Sequence, residues 1–509
     1  MSIGMSAQSS LIAGAPPNGT RMPILRRAVV DIGSNSVRLV VYEGPARAPL
    51  PICNEKALCG LGRGLGDGAR LNKEAVKEAL QTLTRFRQLI DAYANPPTYV
   101  IATAAVRSAS DGDEFVRAVE ALGFSVRILT GEEEAHYAAE GVLSFSPHAA
   151  GLVGDMGGGS LELTQLARSK QDKKISLPLG PLRLMENYGD DIKQVEKAVL
   201  KSFEKVSWLK PGQTKTLYAV GGGWRAIARL HMGLRRYPLS VLHHYTLSAL
   251  EARKICALIE QQSRRSLEEL PGIPRRRLDT LPYAGLVMDK LLEYLGVESV
   301  QVSAGGVREG MLFSELDEET RAQDPLLMIA RFFAERFSPE PDYGTHAIAL
   351  TDTLFPKESK SRARLRKMIC VMMDIGSYFH PDHRGAQAFD MILRAPTVGL
   401  SHEERLIAAR ALYRRYEGRR GASPNDQAIA LLSWDDQQYG LILGLALRFA
   451  SALAPKVPEL LDGCHLALSD GTLKFTAPRS CEPLLLDLPK RRLQALADAL
   501  EVKLEIEFE

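Results

Sequence analysis

The 509-residue chain has no apolar run of the ~18 residues a membrane span needs. The nearest, residues 441–454, contains Arg448 and reads as a buried helix. Cysteine is scarce: Cys53, Cys59, Cys256, Cys370, Cys464 and Cys481 form no CxxC pair, which excludes a disulfide scaffold and a zinc cluster. Charge of one sign is also lacking. Lys plus Arg is 64 and Asp plus Glu 61, a net charge of +3. Bulk charge therefore gives no support to a nucleic-acid binder, and a polyanion would need a local basic patch. The apolar piece Leu11–Ala13 is too short for a signal peptide. Residues 1–22 are expected to be a disordered tail, and the cytoplasm is the expected compartment. With 45% apolar and 25% charged residues the remainder is globular, with room for about three domains.

An internal echo is the most informative feature. Residues 28–41 read AVVDIGSNSVRLVV and residues 152–165 read LVGDMGGGSLELTQ. With Asp31 set on Asp155, Gly33 falls on Gly157, Ser36 on Ser160 and Leu39 on Leu163. Each copy has an apolar strand ending in Asp, a turn of small residues and a second alternating strand, which predicts the same β-hairpin twice. Between the copies, Val76, Leu80, Leu83, Phe86, Ile90 and Tyr93 mark one helix face, with Asn72 as its N-cap. Strands are expected at residues 98–102 and 125–129 and a helix at 114–122. Thr130 with Glu133 forms a capping-box pattern opening a helix near Gly131. The second half repeats the theme, with strands at 176–179, 216–220 and 299–303 and helices at 192–209, 224–232 and from Met311. Alternating strands and helices predict mixed sheets with helices packed on them. From residue 318 the pattern is helical, ending in a hairpin (465–475), a helix (490–500) and a strand (502–508). The expected fold class is α/β: two tandem domains, 23–137 and 138–318, then a helical C-terminal domain, 319–509, with a small α+β cap.

Turns of Gly, Ser and Asn expose successive backbone N–H groups, which form anion-binding nests. Gly33, Ser34, Asn35 and Ser36 make one candidate phosphate-binding turn, and Gly157, Gly158, Gly159 and Ser160 the other. Asp31 and Asp155 stand beside these turns. A carboxylate beside a phosphate needs a cation between them, and Mg²⁺ fills that place with one or two carboxylates. Glu162, two residues past Ser160, shares its strand face. Its counterpart in the first hairpin is Arg38, so the metal is expected nearer the second hairpin. Of the acids after Thr130, Glu133 has a capping role and Glu132 can complement the helix dipole. Glu134 has no such role, and is placed to orient or deprotonate a water for in-line attack on phosphorus. Arg107, after the strand at 98–102, is placed to grip phosphate; a surface ion pair is the competing reading.

These segments together resemble the exopolyphosphatase / guanosine pentaphosphate phosphohydrolase family, of the superfamily of actin-like and sugar-kinase ATPase folds. The matching pieces are VVDIGSNSVRLVV (29–41), IATAAVRSA (101–109), ILTGEEEAHYAAEGV (128–142), GDMGGGSLEL (154–163), LPLGPLRLMENYGD (177–190), AVGGGWRAIARLHM (219–232) and VSAGGVREGML (302–312). The resemblance implies two RNase-H-like domains with the active site between them. It implies Mg²⁺-dependent release of terminal phosphate from inorganic polyphosphate, guanosine pentaphosphate or both. It implies Glu134 as catalytic base, Arg107 on phosphate, and Asp155 and Glu162 holding metal; by its place at the strand end Asp31 is expected as a third metal ligand. Two departures stand out: Gly223 where the family often has Thr, and Leu161 for a commoner Thr. Long members carry a helical domain resembling the HD phosphohydrolases. Here the corresponding stretch runs His346 … Met373-Asp374 … His380 … His383, and Met373 replaces the pair's His, so no second metal centre is expected.

Basic runs at 357–367 (Lys357, Lys360, Arg362, Arg364, Arg366, Lys367), 275–277, 414–415, 419–420 and 490–492 read as solvated helix faces or as a channel gripping a long polyanion. Stacking of nucleic acid on Tyr413 and Tyr416 is not expected at this charge. The expected function is that of a processive exopolyphosphatase, as a homodimer, with no nucleic-acid or membrane partner. Guanosine pentaphosphate hydrolysis on the same site is the alternative. A non-catalytic alarmone or nucleotide binder leaves the acid set unexplained, and nothing indicates a kinase's acceptor site.

Overall fold

The computed structural model describes residues 21–65, 69–167, 170–419 and 424–509. Most of the expected tail therefore lies outside the described residues, as does Arg420. The chain divides into two compact units, Ile24–Arg321 and Ala322–Glu509, the latter including residues 21–23.

The first unit holds two sheets. Strands β1 (Leu25–Ile32), β2 (Val37–Gly44), β3 (Leu50–Ala57), β4 (Thr98–Ala102) and β5 (Val126–Ile128) form the first, in the order β3-β2-β1-β4-β5. Strands β6 (Gly151–Met156), β7 (Leu161–Ala167), β8 (Lys170–Leu177), β9 (Thr216–Gly221), β10 (Thr246–Ser248) and β11 (Ser299–Val302) form the second, in the order β10-β11-β9-β6-β7-β8. Read from β8, the second sheet repeats the first and adds β10. The echo in the sequence is thus a repeat of topology: an antiparallel meander, then two strands joined in parallel to its first. The periodicity did not reveal β3 or the start of β8. Both are edge strands with polar, half-exposed sequences, NEK in one and KQDKK in the other, and only one face of an edge strand need be apolar.

Helices α1 (Lys73–Ala92), α2 (Ala104–Ser108), α3 (Gly112–Glu120) and α4 (Gly131–Phe145) follow the first sheet's strands. Asn72 caps α1 by accepting from the Glu74 and Ala75 amides, and Ala79, Leu83, Phe86 and Ile90 bury its apolar face. In the second half come α5 (Pro181–Tyr188), α6 (Ile192–Glu204), α7 (Gly222–Leu234), α8 (Ala249–Gln261), α9 (Arg264–Glu269), α10 (Leu281–Leu295) and α11 (Val307–Ser314). One large core packs α6, α7, α8 and α10 on the second sheet; another packs α1 and α3 on the first. The pair α4 and α11 serves both sheets. Leu312, Met311 and Tyr137 bury against the first, while Ala139, Val142 and Leu143 bury against the second. The expected boundary at 137/138 falls inside α4.

Glycines allow α4 and α11 to approach. A methyl on Gly310 would lie 1.8 Å from the Tyr137 carbonyl oxygen, and one on Gly141 2.1 Å from the Gly306 carbonyl oxygen. Neither clash is with a flexible side chain, so the backbone itself would have to move.

The second unit is helical, with helices Pro325–Phe337, Tyr343–Thr351, Lys360–Val371, Arg384–Arg394, His402–Glu417 and Trp434–Leu453. Its cap is as expected: a hairpin of β12 (His465–Ser469) and β13 (Thr472–Ala477), a helix Asp487–Leu500, and β14 (Lys503–Phe508) parallel to β13. The basic runs here are in part internal ties, while Lys357, Lys360, Lys490 and Arg491 are exposed. Arg362 pairs with Asp436, Arg364 with Asp324, and Arg366 with Asp352 and Glu358. Arg414 and Arg415 are buried. Tyr416 accepts from the Gly376 amide at 3.1 Å. The HD-type residues diverge. Asp374 is buried between Arg415 and Lys456, while His346 pairs with Asp462 at 2.7 Å. Two side-chain cations occupy Asp374, where a metal pair would need its oxygens.

Gly310→Ala is expected to cost about 3 kcal/mol by overpacking. Gly285→Ala in α10, where the nearest atom to a new methyl is 3.7 Å away, is expected to be neutral or to stabilise by up to about 1 kcal/mol through helix propensity. Urea midpoints of the two variants check the contrast.

Candidate active site

Both hairpin turns close in the same way. The Gly33 amide donates to the Ser36 carbonyl, and the Gly157 amide to the Ser160 carbonyl, each at 3.0 Å. Flanking loops then hold the turns' carbonyls back. The Ser34 carbonyl accepts from the Gly62 amide (2.8 Å), the Asn35 carbonyl from the Gly60 amide (3.2 Å), and the Gly158 carbonyl from the Leu182 amide (2.9 Å). A methyl on Gly180 would lie 2.3 Å from the Gly159 carbonyl carbon, so glycine is needed for that second brace. The amides of Ser34, Asn35, Ser36, Gly158, Gly159 and Ser160 have no protein acceptor among the described residues. The turns also face one another: a methyl on Gly158 would come 3.4 Å from the Ser34 β-carbon. Two turns, each with three free N–H groups, thus meet.

The acids converge on these turns from four elements. Asp31 is in the last turn-proximal residues of β1, directly across from Arg38 in β2. Asp155 in β6 is across from Glu162 in β7. The Ser176 hydroxyl of β8 donates to Glu162 at 2.8 Å. Glu134 projects from the first turn of α4 and is buried. Its neighbour Glu133 supplies the capping box with Thr130, as the spacing implied, and pairs with Arg127. Arg107 lies on the short helix α2 rather than at a strand end. It pairs with Glu134 and donates to the Leu129 carbonyl.

Burial among like charges raises the proton affinity of Glu134, Asp155 and Glu162. Desolvation pushes Glu134 up to about 7; Arg107 opposes the shift, and Asp155 and Asp31 add to it. Desolvation pushes Asp155 up to about 6, against Arg225 and with Asp31. Glu162 is raised well above the carboxylate range by burial and by the Glu134 charge. Such a set fits a divalent cation. Asp155 and Glu162 face each other across the β6–β7 ladder, and no Lys or Arg nitrogen lies within 4.0 Å of either among the described residues. No group of three His, Cys, Asp or Glu side chains among those residues forms a complete protein cage. Mg²⁺ does not require one, since it commonly binds one or two carboxylates and completes its shell with water and substrate phosphate.

Several cations of the cleft were not assigned to it from the sequence, where Arg38 stood only as the counterpart of Glu162 and Arg276 and Arg277 only within a basic run. Arg308, in the first turn of α11, pairs with Asp31 at 3.1 Å. Arg225, in the first turn of α7, lies within the electrostatic reach of Asp155 and Arg308. Arg38, Lys56, Arg276 and Arg277 continue this group. Arg38 is pushed down to about 10 by burial and by Arg308 and Arg225. Lys56 is exposed as a residue, yet its ammonium is pushed down to about 8 by desolvation and by Arg277, Arg38, Arg276 and Arg225. The Arg277 guanidinium lies where a methyl on Gly222 would fall, at the N-terminus of α7. At Gly223 a methyl would press on Ala284 at 3.0 Å, so the space for the family's Thr is already filled.

The model of the Ppx/GppA phosphatase family matches residues 40–319, more than half of the chain, and that of the exopolyphosphatase C-terminal region matches residues 344–506. Retrograde regulation protein 2 of Saccharomyces cerevisiae is 28% identical over 431 residues, covering 77% of this chain and 72% of its own. Exopolyphosphatase 1 of Mycobacterium bovis is 26% identical over 308 residues, covering 58% of this chain and 89% of its own. Among solved structures, the Aquifex aeolicus PPX-GPPA enzyme is 28% identical with a TM-score of 0.50, covering 58% of this chain and all of that one. The exopolyphosphatase of Cytophaga hutchinsonii, 23% identical with a TM-score of 0.52 over 57% of this chain and 97% of its own, shares the fold. No helix of the described residues is long and apolar enough to cross a membrane. With its paired turns, the acids between them and these matches, the chain belongs to the Ppx/GppA phosphatase family.

Proposed function

We propose that the protein is an exopolyphosphatase, releasing the terminal phosphate of inorganic polyphosphate between two actin-like halves. The observation that carries this reading is the meeting of two three-amide nests with an acid cluster. Six unpaired N–H groups suit several phosphate oxygens and would have no use for a neutral substrate. The amides of Ser34, Asn35 and Ser36, with Gly158, Gly159 and Ser160, hold the terminal phosphate and its neighbour. Asp155 and Glu162 would hold Mg²⁺, which when bound neutralises phosphate oxygens and the developing charge. Glu134, unpaired from Arg107 as that guanidinium turns to phosphate, accepts a proton from water and directs it in line at phosphorus. Arg38, Lys56, Arg225 and Arg277 take the rest of the anion. That cation group serves a long chain or the remaining phosphates of guanosine pentaphosphate equally well. The second substrate is therefore the alternative, divided from the first by comparing kcat/KM for the two on one preparation.

Glu134→Gln keeps the size of the side chain and one accepting oxygen for Arg107, and removes the base. It is expected to lower kcat for phosphate release from long-chain polyphosphate with Mg²⁺ by 10²-fold or more, with KM little changed. Retention of most of the activity would refute the mechanism.

Lys56 gives a pH signature. Its affinity for protons is depressed, so its charge is lost as pH rises through about 8. KM for polyphosphate is expected to rise between about pH 7.5 and 9. Lys56→Arg, which keeps its charge throughout that range, is expected to flatten the rise.

A further inference from the structure

The cleft's four carboxylates fall into two classes by their partners. Glu134 is held by Arg107, and Asp31 by Arg308 at 3.1 Å. Asp155 and Glu162 have no cationic side chain within 4.0 Å among the described residues. Arg107 and Arg308 thus stand on two of the four, which leaves Asp155 and Glu162 as the pair open to a dication.

Arg308 is not free to leave Asp31 easily. Its helix is anchored from both sides. Glu309 accepts from the Tyr42 hydroxyl of β2 at 2.5 Å and from the Gly306 amide at 3.0 Å. Leu312, one turn on, is buried against Val29, Val40 and Tyr42 of the first sheet. The side chain is mostly buried; its Nε lacks a hydrogen-bond partner and lies 3.9 Å from the Glu309 carboxylate. A guanidinium held in this way engages Asp31 Oδ2. A dication there would meet the Arg308 charge at close range with little water between, a repulsion twice that of two unit charges.

Resting on the reading of Asp155 and Glu162 as the metal site, we propose that Arg308 is a positioning residue that withholds Asp31 from metal, so that the cleft takes a single divalent cation. The strand-end aspartates of the two repeats then do different work. Asp155 serves the ion. Asp31, with Arg308, ties β1 of the first half to α11 of the second and holds the two nests in register.

Calorimetric titration of the full chain with Mn²⁺, without substrate, tests this. The wild type is expected to bind one ion. Asp31→Asn is expected to keep that site with Kd within threefold, and Glu162→Gln to weaken it at least tenfold. Arg308→Met is expected to admit a second Mn²⁺, and Arg308→Lys to restore a stoichiometry of one. If Arg308→Met does not fold, Asp31→Asn decides alone. Weakening by tenfold or more in both Asp31→Asn and Glu162→Gln would make Asp31 a ligand and overturn the role of Arg308, leaving the metal site in place. Mn²⁺ binding unaffected by Glu162→Gln, or absent from the wild type, would overturn the metal site itself and with it this proposal.

Discussion

The cleft depends on where six peptide groups point. A tight turn can present either its N–H or its carbonyl edge to a ligand, and for an anion only the first is useful. Here the choice is enforced from outside the turn, by the amides of Gly60, Gly62 and Leu182, which engage the Ser34, Asn35 and Gly158 carbonyls. Each brace comes from a loop that itself needs glycine or a helix start to come close. Gly62 would strike Ser34, and Gly180 would strike the Gly159–Ser160 peptide, if either carried a side chain. The polarity of the nests is thus a tertiary property fixed by local sterics.

Repetition supplies the frame and its breaking supplies the chemistry. Both halves have the same strand order and the same turn, yet Arg38 stands in one where Glu162 stands in the other. The first half therefore faces the cleft with a cation beside its nest, and the second with an acid. Asp155 and Glu162 are both raised toward neutrality by burial, to which the Asp31 charge adds at Asp155 and the Glu134 charge at Glu162. This is the state expected of carboxylates waiting for a counter-charge. Glu134 reaches the same space because α4 passes between the sheets, which the glycine contacts with α11 permit.

The second unit shows why a run of basic letters is a poor guide to a binding surface. Arg362, Arg364 and Arg366 stand on one helix, and each is matched by an acid distant in sequence. Asp374, buried where a metal pair could sit, is neutralised by Arg415 and Lys456. Those charges hold helices together; they do not face solvent as a stripe.

The sequence alone determined what depends on neighbours along the chain. The two hairpins follow from alternating apolar residues around Gly and Ser. The N-cap at Asn72 and the capping box at Thr130 and Glu133 follow from spacing. Glu134 stood out because helix capping left it without a task. The edge strand β3 escaped because its polar alternation resembles a loop. Arg308, Arg225, Lys56 and Arg277 escaped because a cation's partner is set by distance in space, and nothing local distinguishes Arg277 within RRR or Arg308 within GGVREG. Only the tertiary structure brought them to the cleft, by stacking the second sheet and the pair α4 and α11 against the first, and only that proximity could set the pairing of Asp31 with Arg308 and the raised proton affinity of Glu134.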